Sequence, residues 1–408
     1  PEDRSRIAAS VRPAGEDRMG IQTMPDVRSL AGFRNEPYTD FSAPAHRAAM
    51  EEALRSVRAE FGREYDLWIG GRPVRTGEKL VSRNPSAPSE IVGIHQMASA
   101  ADAASAVESV AASFADWSKT PAEVRCGMLL RAAELIRGRK MEFDAWLIYE
   151  AGKTWIEAEA DVSEAIDFCE YYAREMLRLD GPHAMLHLPG ERDELTYIPL
   201  GAGVIIAPWN FPLAILAGMT TAALVAGNTA VVKPSSDTPT IAAKFVEVLR
   251  EAGFPPSCFA FLTGSGGKVG DTMVQHPKTR FICFTGSRDV GLRINELAAR
   301  PQPGQIWIKR VIAEMGGKDA IVVDSEADLD QAVAGVVASA FGYQGQKCSA
   351  CSRAIVDQSL YDEFVERLRT KVDTLTVGPA EDPGNYMGPV INEKALKTIN
   401  DYVAIGRK

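Results

Sequence analysis

The sequence predicts an α/β protein organised on a parallel sheet, and three observations carry that prediction. From Gly203 onward, apolar runs such as "GVIIAP", "TAVVKP", "FAFLTG" and "RFICFTG" alternate with helical stretches such as "LAILAGMTTAALVAG" and "TIAAKFVEVLREAG". Strands this apolar, separated by helices of this length, belong to a sheet covered on both faces. Two glycine-bearing turns, "GSGGKVG" at 264–270 and "FTGSRDVG" at 284–291, stand at neighbouring strand ends, where backbone N–H groups can face a pyrophosphate.

Taken in order, residues 1–24 are Arg- and Ala-rich but carry Glu2, Asp3, Glu16 and Asp17 and no apolar core. They are expected to be a disordered leader or upstream read-through, not a targeting signal, with Met19 or Met24 as natural starts. From about Ala43 to Asp180 the pattern is mostly helical, with apolar residues at three- and four-residue intervals in "AAMEEALRSVRAEF" and "CGMLLRAAELIRGRK". A long helix from about Lys153 is expected to stop at Gly181. The passage 183–200 then reads as a β-hairpin turning at "GERD". Beyond the first unit, "RVIAEM" and "AIVVD", a helix over 328–342, the strand "SRAIVD" and the helix "LYDEFVERLRTKV" start a second α/β unit.

Composition excludes several function classes. The 408 residues are 46% hydrophobic and 24% charged with a net charge of -9, which gives no basic field for nucleic acid. No charged residue occurs between Leu195 and Val232, yet Pro199, Pro208 and Pro212 interrupt the run. Its longest helical piece, Leu213 to Ala226, falls short of the roughly 20 residues a bilayer needs, so no membrane span is expected. Six irregularly spaced cysteines suit a reduced, cytoplasmic protein rather than a disulfide framework. None of the five histidines stands at ligand spacing with a cysteine pair, so no metal site is expected. The pair Cys348 and Cys351 lies late in the chain and leads into a strand, whereas a redox CxxC opens a helix. Cys351 reads as a small buried hydrophobe, with capture of an oxidised Cys348 as the alternative.

The motifs "PWNFP" (208–212), "KPSS" (233–236), "FTGS" (284–287), "EMGGK" (314–318) and "GQKCSA" (345–350) occur in the order and spacing of the aldehyde dehydrogenase superfamily, which the chain resembles from about Phe33 onward. Within it, "FRNEPYTDF", "ADVSEAIDFCEYYAREML" and "YQGQKCSACSR" resemble the branch that oxidises L-glutamate γ-semialdehyde, the open form of 1-pyrroline-5-carboxylate.

The resemblance implies a Rossmann-type domain over 25–182 and 201–314, an oligomerisation hairpin over 183–200 and a catalytic domain from 315. It implies NAD-dependent oxidation of a small-molecule aldehyde in proline or arginine breakdown, by a homo-oligomer when full length. Cys348 would be the nucleophile, because a thiolate adds to a carbonyl and leaves readily from a thioester. Asn210 and the Cys348 N–H would hold the oxyanion, and Glu314 would activate water. Ala207, Pro208, Trp209, Lys233, Ser236, Gly264, Gly267, Gly286, Ser287 and Gly291 would surround the cofactor. Glu164, Phe168 and Ser349 would meet the substrate. Ser236 stands where NAD-preferring members usually carry a glutamate, which leaves NADP open as a second cofactor.

One departure is a missing ExFGP segment: the only Phe-Gly pairs are 61–62 and 341–342. On that ground the catalytic domain is expected to be incomplete and this chain a poor catalyst. The rival readings are an inactive relative that retains dinucleotide binding, and a dehydrogenase of another aldehyde.

Overall fold

The computed structural model of the protein describes Val27 and residues 30–408, so the leader expected over 1–24 lies outside the described residues. Helix α1 (Pro44–Ala59) opens with its proline in the first turn, where a missing N–H costs no helical bond. Five strands follow: β1 (Arg63–Tyr65), β2 (Leu67–Ile69), β3 (Arg72–Val74), β4 (Lys79–Asn84) and β5 (Ala87–Gln96). The stretch between 43 and 180 is otherwise mostly helical, as expected, but these strands were not anticipated. The overlooked signal is Gly70-Gly71, at φ +60° and +76°. Two successive residues in that region make the tight turn that joins β2 to β3.

Helices α2 (Ala100–Trp117), α3 (Ala122–Gly138), α4 (Lys140–Ala151) and α5 (Trp155–Asp180) come next. A capping box starts α2: Ser99 Oγ accepts the Asp102 N–H while the Asp102 carboxylate accepts that of Ser99. Gly152, at φ +67°, ends α4 where a Cβ would come within 3.0 Å of both Pro85 and Pro389. The expected hairpin over 183–200 is not formed. The Glu191 N–H meets the Leu188 carbonyl around a turn, but no ladder forms between the arms. Leu186 and Ile198 are 81% and 80% exposed, and a lone two-stranded ribbon without a face to pack on gains too little to close.

The predicted alternation then appears: β6 (Ala202–Ile206), α6 (Ala214–Val225), β7 (Thr229–Lys233), α7 (Pro239–Glu251), β8 (Phe259–Phe261), α8 (Asp271–Gln275), β9 (Phe281–Thr285), α9 (Arg288–Ala299) and β10 (Arg310–Glu314). These strands join β2 and β3 in a seven-stranded sheet of order β10-β9-β6-β7-β8-β2-β3. The first five run parallel; β2 and β3 are antiparallel at the far edge. Successive side chains serve opposite faces, so Val204, Val231 and Ile282 enter one core while Ile205, Val232 and Phe281 enter the other. Arg310–Glu314 is thus the edge of this sheet and not the start of a second unit. From β6 the chain builds outward through β7 and β8, then returns to place β9 on the other side. That reversal is the switch point at which open parallel sheets of this kind bind ligands.

A smaller unit follows: β11 (Asp319–Val323), α10 (Leu329–Phe341), β12 (Cys351–Val356), α11 (Tyr361–Val372) and α12 (Glu393–Gly406). Strands β11 and β12 pair in parallel over a core of Val323, Val333, Val336, Val337 and Phe364. Their paired residues Val322 and Ile355 remain 72% and 54% exposed. Helix α12, which the sequence reading did not anticipate, starts on Asn392, whose side chain accepts the Ala395 N–H. Among the described residues no helix is long and apolar enough to cross a membrane.

Candidate active site

Three loops leave the C-terminal ends of β6, β7 and β9 at the switch point and together wall a cavity of about 740 Å³, and Cys348 separates it from a second cavity of about 530 Å³. The larger cavity, about 740 Å³, takes Ala207, Pro208, Trp209 and Asn210 from the first loop. It takes Lys233, Ser235, Ser236 and Asp237 from the end of β7, and Gly286 and Ser287 from the turn after β9. Lys233 is buried with its ammonium 3.2 Å from the Pro234 carbonyl, and burial pushes its pKa down to about 8. Ser236 Oγ donates to the Gly264 carbonyl at 3.3 Å, which ties this loop to the turn after β8.

Not every expected glycine reaches the wall. Gly266 lines the cavity, whereas Gly264 and Gly267 do not; the turn there is a π-helical one over Gly266–Gly270, not the start of a long helix. Gly291 instead lets α9 pack: a Cβ there would meet the Met315 sulfur at 2.8 Å and Phe284 at 3.2 Å. The sequence reading missed Lys318, Gln346, Lys347 and Lys394 in the wall. Lys394 comes from α12, whose approach no local motif announced.

The loop that carries Cys348 is backbone-strained. Tyr343, Gln344 and Gly345 have φ of +48°, +58° and +69°, a left-handed run that only the last residue adopts without cost. The surroundings hold it. Tyr343 is fully buried and its hydroxyl donates to the Ala151 carbonyl at 2.8 Å. The Gln344 side chain donates to the Pro389 carbonyl at 2.6 Å and accepts the Gly388 N–H at 3.1 Å. Gln346 Oε1 accepts the Ile391 N–H at 3.0 Å. The loop therefore delivers Cys348, an exposed thiol, at a fixed place.

The Asn210 side-chain amide donates to the Gln346 carbonyl at 3.0 Å. A primary amide has a second N–H, which is left for another acceptor beside Cys348.

Cys348 also lines the second cavity, of about 530 Å³, with Phe168, Tyr172, Gly218, Met219, Phe284 and Glu314. Phe168 stacks on Tyr172 with centroids 5.5 Å apart, and a Cβ on Gly218 would stand 3.0 Å from the Phe168 ring. Glu314, at the end of β10, is exposed at its edge. Glu164 and Ser349 are exposed and belong to neither wall, although Ser349 adjoins Cys348. Cys351 stands at the start of β12, half-buried, its thiol donating to the Arg353 carbonyl at 3.3 Å.

The larger cavity fits an extended, phosphate-bearing cofactor. Its volume is in the range of organic ligand sites. Its wall carries lysine ammonium groups and serine hydroxyls, and no atom lies within 4 Å of where a Cβ would be on Gly266 or Gly316, so backbone can be approached closely there.

A parallel sheet with a cofactor-sized cavity at its switch point, meeting an apolar cavity at a cysteine, is the arrangement of a dinucleotide-dependent oxidoreductase. The model of the aldehyde dehydrogenase family matches residues 73–408, and the chain belongs to that family. It is 53% identical over 376 residues to 1-pyrroline-5-carboxylate dehydrogenase of Geobacillus thermodenitrificans, a match covering 92% of this chain and 73% of that protein. The solved structure of 1-pyrroline-5-carboxylate dehydrogenase from Thermus with bound NAD superposes with a TM-score of 0.91 at 51% identity, over 93% of this chain and 73% of that one. Proline utilization A from Bdellovibrio bacteriovorus matches with a TM-score of 0.91 at 43% identity, over 92% of this chain and 39% of that one.

Proposed function

We propose that this chain oxidises L-glutamate γ-semialdehyde to L-glutamate with NAD, through a thioester on Cys348. The observation that carries the reading is the position of Cys348 in the common wall of two cavities, one apolar with Glu314 at its edge and one lined by lysines and serines. Relatives at this identity named for 1-pyrroline-5-carboxylate support the substrate, and the Thermus structure supports the cofactor. Lys233, Ser236, Gly286, Ser287 and the backbone of Ala207–Trp209 would hold NAD, which when bound accepts a hydride.

Cys348 Sγ adds to the aldehyde carbon, and the carbonyl oxygen becomes an oxyanion. The free N–H of Asn210 and the Cys348 backbone N–H hold that charge. Loss of hydride from the same carbon leaves an acyl group on sulfur. Glu314 takes a proton from water, the hydroxide adds to the thioester, and the Cys348 thiolate departs. The balance is one aldehyde and one water giving a carboxylate, a hydride and two protons. Glu164 and Ser349 belong to this reading as groups at the substrate's approach, although neither lines either cavity.

Residues 25–182 and 201–314 are assigned to cofactor binding and those from 315 to catalysis. Unpaired thiols throughout suit a reducing compartment, the cytoplasm, and we expect a homo-oligomer. The test is NADH formation by this chain with glutamate semialdehyde, compared with succinic semialdehyde and hexanal. Preference for the first supports the reading; equal turnover of all three would leave a general aldehyde dehydrogenase, and NAD binding without turnover an inactive relative.

A further inference from the structure

Three site-bearing segments converge on one charge that the mechanism above does not use. Lys153 has no exposed surface, and its ammonium makes no hydrogen bond. It lies 4.1 Å from the centroid of the Phe211 ring and 4.2 Å from that of Tyr343. Its counter-ion is Asp161, also fully buried, at 3.4 Å. Burial pushes the lysine's pKa down and the aspartate's up, and each opposes the shift of the other. Removing two charges from water is costly and weak as a source of stability. The arrangement therefore calls for another explanation than fold stability.

Each partner of the pair belongs to a different part of the site. Phe211 follows Asn210, whose amide donates to the Gln346 carbonyl and lines the same cavity as Cys348. Tyr343 is the first residue of the left-handed run that ends in the nucleophile loop. Asp161 Oδ1 accepts the Ala214 N–H at 2.7 Å, which fixes the start of α6 immediately after the Asn210 loop. Lys153, Glu157 and Asp161 are spaced four residues apart, and Glu157 pairs with Lys347, next to Cys348, at 2.7 Å. One end of α5 thus grips both the loop that carries Asn210 and the loop that carries Cys348.

We propose that Lys153, with Asp161, is a positioning residue. Its ammonium, sandwiched between the Phe211 and Tyr343 rings, sets the distance between the Asn210 amide and the Cys348 thiol and holds the strained loop in place. A cation attracts both ring faces at once and does so most strongly where water is excluded. A neutral side chain of equal volume would fill the space without drawing the two loops together. The proposal rests on the assignment of Asn210 and Cys348 to aldehyde oxidation.

The test uses the double variant Lys153→Met/Asp161→Asn in the whole chain. It removes both charges, keeps the volume and keeps an oxygen for the Ala214 N–H, so no charge is left buried alone. The expected result is a cooperative unfolding transition near that of the parent, KM for NAD within about twofold, and kcat lower by roughly 100-fold, the loss associated with misplacement by about 1 Å. Backbone hydrogen exchange should speed up at 209–214 and 343–348 and stay unchanged elsewhere in the sheet. Phe211→Leu, which removes one ring and touches no charge, should give an intermediate loss of kcat and decides the matter if the double variant does not fold. A kcat within threefold of the parent, with exchange unchanged in both loops, would overturn the proposal. A parent chain inactive on aldehydes would count against the function proposed above, while the exchange measurement would still decide the positioning role.

Discussion

Gly317 donates its backbone N–H to the carbonyl oxygen of Cys348 at 3.1 Å, so the segment after β10 is bonded directly to the residue we assign as nucleophile. The approach leaves no room for a side chain: a Cβ on Gly317 would fall 2.6 Å from that oxygen and 2.7 Å from Asp319 Oδ2. Gly317→Ala should therefore displace the Cys348 backbone and lower kcat by about 10- to 100-fold. The site lies at the border of the smaller unit, away from the main cores, so thermal unfolding should move little. Parent-like kcat in the alanine variant would show that the thiol's place is set without this bond.

The two cysteines of the CxxC have different environments. Cys348 is exposed at the junction of the cavities, while Cys351 is half-buried and its thiol is engaged with a backbone carbonyl. Cys351→Ala should keep at least about half of the parent kcat under reducing conditions, since alanine loses only a weak thiol hydrogen bond and a little packing. A Cys351→Ala chain as inactive as Cys348→Ala would reverse the assignment of roles.

Ser236 faces the cofactor cavity with a neutral hydroxyl bonded to Gly264, and it neither repels a 2′-phosphate nor binds a ribose diol as a carboxylate would. We expect measurable turnover with NADP. Ser236→Glu should shift the NAD to NADP ratio of kcat/KM towards NAD by roughly 10-fold, about 1.4 kcal/mol. An unchanged ratio would place the discrimination at Asp237, which lines the same cavity and accepts a hydrogen bond from Asn392 at 3.0 Å.

Lys233 supplies a pH dependence whose sign can be stated. Its folded-state pKa of about 8 lies below the ordinary lysine value of 10.5, so burial disfavours the charged form. The resulting cost to folding is complete below about pH 8 and is relieved as pH rises towards 10.5. Cofactor binding runs the other way, because a dinucleotide is best met by the ammonium. NAD affinity should be flat near pH 7 and fall by up to about 10-fold per unit above pH 8, and Lys233→Met should bind more weakly with a flat profile. A parent profile flat through about pH 9 would remove Lys233 from the cofactor's contacts.

How far the sequence could be read follows from the range of the interactions involved. The parallel sheet was legible because its strands are apolar on both faces, whereas the switch point depends on a strand order that only the structure shows. "PWNFP", "KPSS" and "GQKCSA" lead to Asn210, Lys233 and Cys348, which the structure brings around one cavity. The strands between 63 and 96 were missed because three of them are only three residues long and the chain on either side is helical. The hairpin at 183–200 was over-read, since local pattern cannot say whether a ribbon finds a third strand. Lys153 was legible only as the start of a helix; its rings, Phe211 and Tyr343, are 58 and 190 residues away in the chain. Gly264, Gly267 and Gly291 carry a turn pattern that resembles phosphate contact, yet none of the three lines the larger cavity, and Gly291 sits where a Cβ would meet Met315 and Phe284.

The most direct measurement is intact mass, followed by peptide mapping, of Glu314→Gln mixed with NAD and L-glutamate γ-semialdehyde. Without the carboxylate that activates water, the thioester should persist, so the account predicts one NADH per chain and one acyl group on the peptide carrying Cys348. NADH formed with no adduct on that peptide, or an adduct on another residue, would contradict it.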